Sequence, residues 1–189
     1  MTSLQSIAGT LRGRGALLDG HFLLSSGRHG DRFIQKFRIL EDPALVGPIG
    51  AAIADRFRAA RPSVVVSAAI GGIVLGYEVA RALGTRAIFV EKERGQPRLR
   101  RGFSLSAADR ALVVEDVVTT GGSVREVLDI VAAAGAALVG IGAICNRGNA
   151  RFEAPFFALL DMPMVSYEAV DCPLCAAGEP LDDPGSRRA

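Results

Sequence analysis

Apolar and polar positions recur along this chain with two periods, one helical and one extended, and these outline its elements. Leu4, Ile7, Ala8 and Leu11 fall at helical spacing and predict an amphipathic helix over residues 3–12. His21–Ser25 and Arg32–Lys36 read as short strands joined by the turn Ser26-Gly27-Arg28-His29-Gly30-Asp31. Asp42-Pro43 then offers a capping acid and a proline suited to a first helical turn. Leu45, Ile49, Ile53 and Phe57 form one stripe on that helix, which ends before Pro62.

Beyond Pro62 the pattern becomes regular. Residues 63–67 read as a buried strand, 73–83 as a helix closed by Gly84, and 86–90 as a second strand. A charged insert precedes strand 111–114, helix 123–134 closed by Gly135, and strand 137–144. In the second of these helices Val124, Val127, Leu128 and Val131 share one face. Strands alternating with helices predict an α/β fold with a central parallel sheet covered on both faces. Such sheets bind ligands outside the carboxyl ends of their strands. Two short strands, 156–160 and 164–167, finish the ordered part, and from Ala176 onward a Gly-, Pro-, Asp- and Arg-rich stretch predicts a loose tail.

The densest chemistry lies in residues 111–123, ALVVEDVVTTGGS. A β-branched strand runs into Glu115 and Asp116, then Val117 and Val118, then Thr119-Thr120-Gly121-Gly122-Ser123 at a helix start. Bare amides, hydroxyls and a positive helix end suit a phosphate, and Gly121 and Gly122 let the backbone approach it. Carboxylates would repel that phosphate but accept well from vicinal hydroxyls, so a phosphorylated sugar matches both halves. A second glycine-bearing turn, Ser67-Ala68-Ala69-Ile70-Gly71-Gly72, also follows a strand and opens a helix. No phosphate-binding GK[ST] is present, and residues 119–123 lack a dinucleotide-type GxGxxG.

Composition narrows the class without naming a reaction. The 189 residues suit one well-buried domain, 49% are hydrophobic, and no apolar run could span a bilayer. A net charge of +2 gives no nucleic-acid footprint. The amino-terminal segment lacks a charged-then-apolar leader pattern, and three cysteines argue for a reducing compartment, so the expected location is the cytoplasm. Lys36 and Lys92 are the only lysines among 22 basic residues. Residues 91–102, EKERGQPRLRRG, have no apolar period and predict a mobile charged loop. Cys172-Pro173-Leu174-Cys175 reads as a tight proline turn with two buried thiols, since Cys145, His21 and His29 add no ligand spacing to it.

The acid pair followed by Thr-x-x-Gly resembles the phosphoribosyl-pyrophosphate (PRPP) motif of type I phosphoribosyltransferases. The resemblance covers residues 16–150, extends loosely to Cys172–Cys175, and lies nearest the orotate-using branch. It implies one domain over residues 1–175, with a small hood from about 1–40 and 150–175 and a tail over 176–189. It implies transfer of phosphoribosyl from PRPP to orotate, with Mg²⁺ carried by PRPP and no direct protein ligand, in a homodimer. Catalytic roles fall to Lys92, Glu115 and Asp116. PRPP would be held by Glu115, Asp116, Val117, Val118, Thr119, Thr120, Gly121, Gly122 and Ser123, by Ile70 and Gly71 in the pyrophosphate loop, and by Arg94 and Arg100. Thr119, Arg147 and Phe33 would hold orotate, whose carboxylate suits a guanidinium. The chain departs from many orotate-using relatives at Ser25 and Gly71, where those have lysine, at Asn146, often an aspartate, and in a loop lacking a histidine and a second lysine. A different acceptor base, or a non-enzymatic PRPP sensor on the same fold, would share the motif.

Overall fold

The computed structural model of the protein describes residues 4–24, 26–148, 150–162 and 165–184. In chain order the elements are α1 (Leu4–Gly13), β1 (Leu17–Leu23), β2 (His29–Ile34), α2 (Lys36–Leu40), α3 (Pro43–Phe57), β3 (Val64–Ala68), α4 (Gly71–Leu83) and β4 (Arg86–Glu93). There follow β5 (Gln96–Leu99), β6 (Arg110–Val118), α5 (Gly122–Ala133), β7 (Ala137–Asn146), β8 (Phe156–Asp161), β9 (Ser166–Tyr167) and α6 (Pro173–Ala176). They form two compact units, residues 40–162 and residues 1–39 with 163–189.

The larger unit is a six-stranded sheet in the order β5-β4-β3-β6-β7-β8, parallel except for β5 at the edge. Val64, Val65 and Val66 of β3 are fully buried, as an unbroken β-branched run covered on both faces requires. Each such side chain contributes roughly 1.5–3 kcal/mol relative to exposure. Val64, Val66, Ala111 and Val113 pack with Val124, Val127 and Val131 of α5. On the opposite face α4 lies against Val65 and Ser67, and Ile53 and Phe57 of α3 sit over Gly142 and Gly140 of β7. Asp42 caps α3 by accepting from the Ala44 amide at 2.9 Å, with Pro43 behind it, as the sequence predicts.

The smaller unit is an antiparallel sheet, β1-β2-β9. Leu17 pairs with Ile34, Leu18 with Phe33, and, past an irregularity between Asp19 and Phe22, Leu23 with His29. Arg28 ties β9 to the turn through Ser166, donating to its hydroxyl at 2.9 Å and its carbonyl at 2.6 Å, and pairs with Glu168.

Several expectations need correction. The first strand begins at Leu17 rather than His21, and the second ends at Ile34, with Lys36 opening a short helix. Residues 150–162, assigned to the hood, belong to the larger unit, where β8 pairs in parallel with β7. The strand of the acids continues to Val118, because Val117 and Val118 prolong its pairing with Cys145 and Asn146. The charged insert is a β-hairpin: Glu91 faces Arg98, Lys92 faces Pro97 and Glu93 faces Gln96, around a turn at Arg94 (φ 51°) and Gly95 (φ 81°). The stretch 176–184 is not loose. Asp182 bridges Phe22, its amide donating to the His21 carbonyl and its carbonyl accepting from Leu23, both at 2.8 Å.

Candidate active site

Glu115 and Asp116 are buried at 8% and 2% exposure near the carboxyl end of β6, within the strand rather than beyond it. Local backbone holds both carboxylates: Glu115 accepts from the Asp116 amide at 3.0 Å, and Asp116 from the Val117 amide at 2.6 Å. Two acids so anchored are rigid acceptors for hydroxyl groups rather than flexible surface charges.

The loop that follows is built for an anion. Thr119 and Thr120 are exposed. Gly121 takes φ 79°, and a Cβ there would stand 2.9 Å from both Arg125 Nη1 and the Phe152 ring, so this turn requires glycine. Ser123 does not cap α5. Gly121 occupies that position and offers no side chain to the first helical amides. The first turn of α5 carries no acid, so its positive end is left for a ligand. Arg125 braces the loop, donating to the Thr120 carbonyl at 2.6 Å and lying over Phe152.

The second glycine turn reaches the first of these acids. Gly72 packs so closely that a Cβ would lie 3.2 Å from Ser67 Cβ, 3.3 Å from the Val114 carbonyl and 3.4 Å from Glu115 Oε1. Gly71 is buried at the start of α4, while Ile70 stands 77% exposed just before it. Arg147 arrives from the end of β7, its amide donating to the Val118 carbonyl at 2.8 Å. At Gly148 the chain runs against Thr119, leaving no room for a side chain. Burial pulls the Arg147 guanidinium below the usual arginine range by disfavouring its charged form, a penalty that a bound anion would offset. Asn146, standing where an aspartate is frequent, donates to Asp161 at 2.9 Å. The neighbouring Cys145 thiol is pushed up to about 12 by burial and is a core group, not a nucleophile.

The other expected residues lie on other elements. Lys92 lies on β4 and pairs with Glu126 of α5 at 2.8 Å. Arg100 pairs with Glu93 at 3.3 Å and Glu91 at 3.8 Å, and Arg101 with Glu91 at 2.9 Å. The hydrogen bond from Arg101 holds the Glu91 carboxyl below the ordinary range. Arg94, at the hairpin tip, has no carboxylate within ion-pair distance among the described residues. Phe33 lies in the smaller unit with its ring 5.8 Å from Phe22. Ser25 lies outside the described residues. Sequence reasoning missed Arg125 as a brace, although its place four residues after Gly121 at a helix start was a usable signal.

A parallel sheet whose strand ends present a buried acid pair beside a glycine-opened helix offers hydroxyl acceptors and anion donors together, the pairing a phosphorylated sugar would need. Residues 38–158 match the family described as "Phosphoribosyl transferase domain". An orotate phosphoribosyltransferase of Chlorobaculum parvum is 46% identical over 189 residues, covering 99% of this chain and 97% of that protein. One from Caldanaerobacter subterraneus subsp. tengcongensis is 46% identical over 171 residues, covering 89% and 90%. The crystal structure of orotate phosphoribosyltransferase from Aeropyrum pernix matches with a TM-score of 0.69 at 25% identity, over 82% of this chain and 92% of that one. The chain belongs to the phosphoribosyltransferase family, and within it to the orotate phosphoribosyltransferases.

Proposed function

We propose that this chain transfers the phosphoribosyl group of PRPP to orotate, a step of pyrimidine biosynthesis, giving orotidine 5′-monophosphate and pyrophosphate. The observation that carries this reading is the convergence, around Glu115, Asp116 and the Thr119–Ser123 loop, of the two glycine turns and the Arg147 strand end.

Thr119, Thr120, Gly121, Gly122 and Ser123, after Val117 and Val118, would hold the 5′-phosphate on amides and hydroxyls. Glu115 and Asp116 would accept from the ribose hydroxyls and stabilise positive charge as the C1′–oxygen bond to pyrophosphate breaks. The orotate ring nitrogen then forms the new bond to C1′, with Arg147 paired to the orotate carboxylate and Thr119 beside it. Ile70 and Gly71 would meet the pyrophosphate through backbone. Lys92, Arg94 and Arg100 would neutralise it after exchanging partners, since Lys92 and Arg100 are paired to glutamates. The part given to Phe33 rests on the resemblance alone. The donor set suits Mg²⁺ brought by the substrate: Glu115 and Asp116 are hard oxygen ligands but buried and anchored, not a cage of six oxygens. Bound to PRPP, Mg²⁺ would offset diphosphate charge.

The same reading places the enzyme in the cytoplasm as a homodimer. Ile70, Val74 and Tyr77 support the dimer, being large apolar side chains exposed at i, i+4 and i+7 at the start of α4. Sedimentation of the purified chain tests it.

The deciding assay follows loss of orotate absorbance with PRPP and Mg²⁺, with EDTA as control and adenine, hypoxanthine and uracil as competing acceptors. Metal-dependent loss unaffected by the other bases is expected. Turnover of another base instead would move the acceptor assignment, and PRPP binding without turnover of any base would overturn the enzymatic reading.

A further inference from the structure

The smaller unit brings together four side chains that the sequence keeps far apart. His21 lies on β1, His29 on β2, and Cys172 and Cys175 flank the start and body of α6. His21 Nε2 is 2.9 Å from His29 Nδ1, 3.6 Å from Cys172 Sγ and 3.7 Å from Cys175 Sγ, and Cys175 Sγ is 3.3 Å from His29 Nδ1. All four donor atoms lie within 4.8 Å of one another, and both thiols are free. His21, His29 and Cys172 are buried at 4%, 6% and 3%, and only Cys175 reaches solvent.

We propose that these residues bind a structural zinc ion with a Cys₂His₂ ligand set. Tetrahedral zinc, with bonds of about 2.3 Å to sulfur and 2.0–2.1 Å to nitrogen, separates its ligand atoms by about 3.3–3.8 Å. Three of the four measured separations fall at those values, and the His21–His29 pair would open by a few tenths of an ångström, about 0.4 Å, to admit the ion. Two thiolates and two imidazoles select a borderline-soft ion and not Mg²⁺, so this site is separate in chemistry from the substrate's metal.

The surroundings orient a ligand. His21 Nδ1 is 2.9 Å from the Glu179 carbonyl, which can only accept. The ring proton therefore sits on Nδ1, and the Nε2 lone pair points into the cluster, the arrangement that outer-shell carbonyls impose on metal-bound histidine. The backbone supports it too, since Asp182 pairs with the strand carrying His21 and positions the segment after Cys175 beside it. The unit is assembled from segments of both ends of the described chain, and a metal joining β1, β2 and α6 supplies a cross-link between them.

The test is metal analysis of the full chain, tag removed, after incubation with zinc and gel filtration. About one zinc per chain is expected, retained in Cys145→Ser and lost in Cys172→Ser and His29→Ala. Cobalt replacing zinc in the native chain should give intense tetrahedral ligand-field bands and a thiolate charge-transfer band, which decides the matter should the variants fail to fold. A native chain that binds no zinc overturns the proposal, as does a Cys172–Cys175 disulfide in non-reducing mass spectrometry. Zinc kept by Cys172→Ser, or a weak octahedral cobalt spectrum, overturns it equally.

Discussion

The acid–glycine segment and the histidine–cysteine cluster are both polar sites within β-rich units, and they are built in opposite ways. Glu115 through Ser123 is one continuous run, and its neighbours Gly72 and Arg147 reach it from adjacent strands of one parallel sheet. The cluster joins residues separated by 151 positions, two on a hairpin, one just before a four-residue helix and one within it. A site of the first kind depends on local backbone geometry and serves a ligand that comes and goes. One of the second kind depends on tertiary folding, and a metal there would contribute to stability. The contrast predicts that damage to the first changes rate while the unit stays folded, whereas damage to the second changes folding.

The largest expected effect is on rate. Asp116→Asn should lower kcat/KM for PRPP by roughly 10²–10³-fold with little change in Tm, measured by initial rates and thermal melts. A fall in Tm that accounts for the lost activity would break the comparison. Arg147→Ala should raise the orotate KM by roughly 10–100-fold and leave the PRPP KM nearly unchanged. Orotate saturation curves decide it, and an unmoved KM would put the base elsewhere. On the other side of the comparison, Cys172→Ser should lower Tm by about 10 °C together with loss of bound zinc. A melt that overlays the native curve in zinc-loaded samples would remove the structural role.

Lys92→Ala sharpens the contrast within the active-site unit. Its ion pair with Glu126 is exposed, so stability should change by less than about 1 kcal/mol. Turnover should still fall about tenfold, more than PRPP affinity does, and unchanged kcat would remove the hairpin from catalysis. The smallest effect concerns Asp109, which joins strand and turn by accepting from Arg86 at 2.8 Å and from the Ser106 amide at 2.9 Å. The Arg86 hydrogen bond holds its carboxyl below the ordinary range in the folded chain. Its stabilisation is therefore complete above the unfolded value of about 3.9 and is lost as pH falls through the lower folded value. Asp109→Asn should cost about 1 kcal/mol at neutral pH and flatten the acid limb of a stability–pH curve. An unaltered limb would assign that limb to other carboxylates.

What the sequence made legible follows the same division. The run from Val64 to Asn146 repeats strand, glycine turn and helix, so its elements, parallel sheet and acid–phosphate motif could be read from local pattern. Misreadings arose where pairing is carried by backbone. Residues 91–99 show no apolar period because both faces of the hairpin bear charges, yet Arg94-Gly95 between extended residues is a two-residue turn signal. Asp182 joins the small sheet through its amide and carbonyl, which composition cannot display. His21 and His29 lack ligand spacing because that spacing is completed by Cys172 and Cys175 through the fold, and Cys175 is exposed rather than buried as expected.

The divided small unit has a consequence for biosynthesis. Strands β1 and β2 leave the ribosome before the larger unit, yet β9, α6 and the pairing of Asp182 with the β1 strand come after it. Residues 40–162 hold their own sheet and core, so translation can deliver that unit complete while the earlier hairpin waits, edge unpaired, for its closing segment.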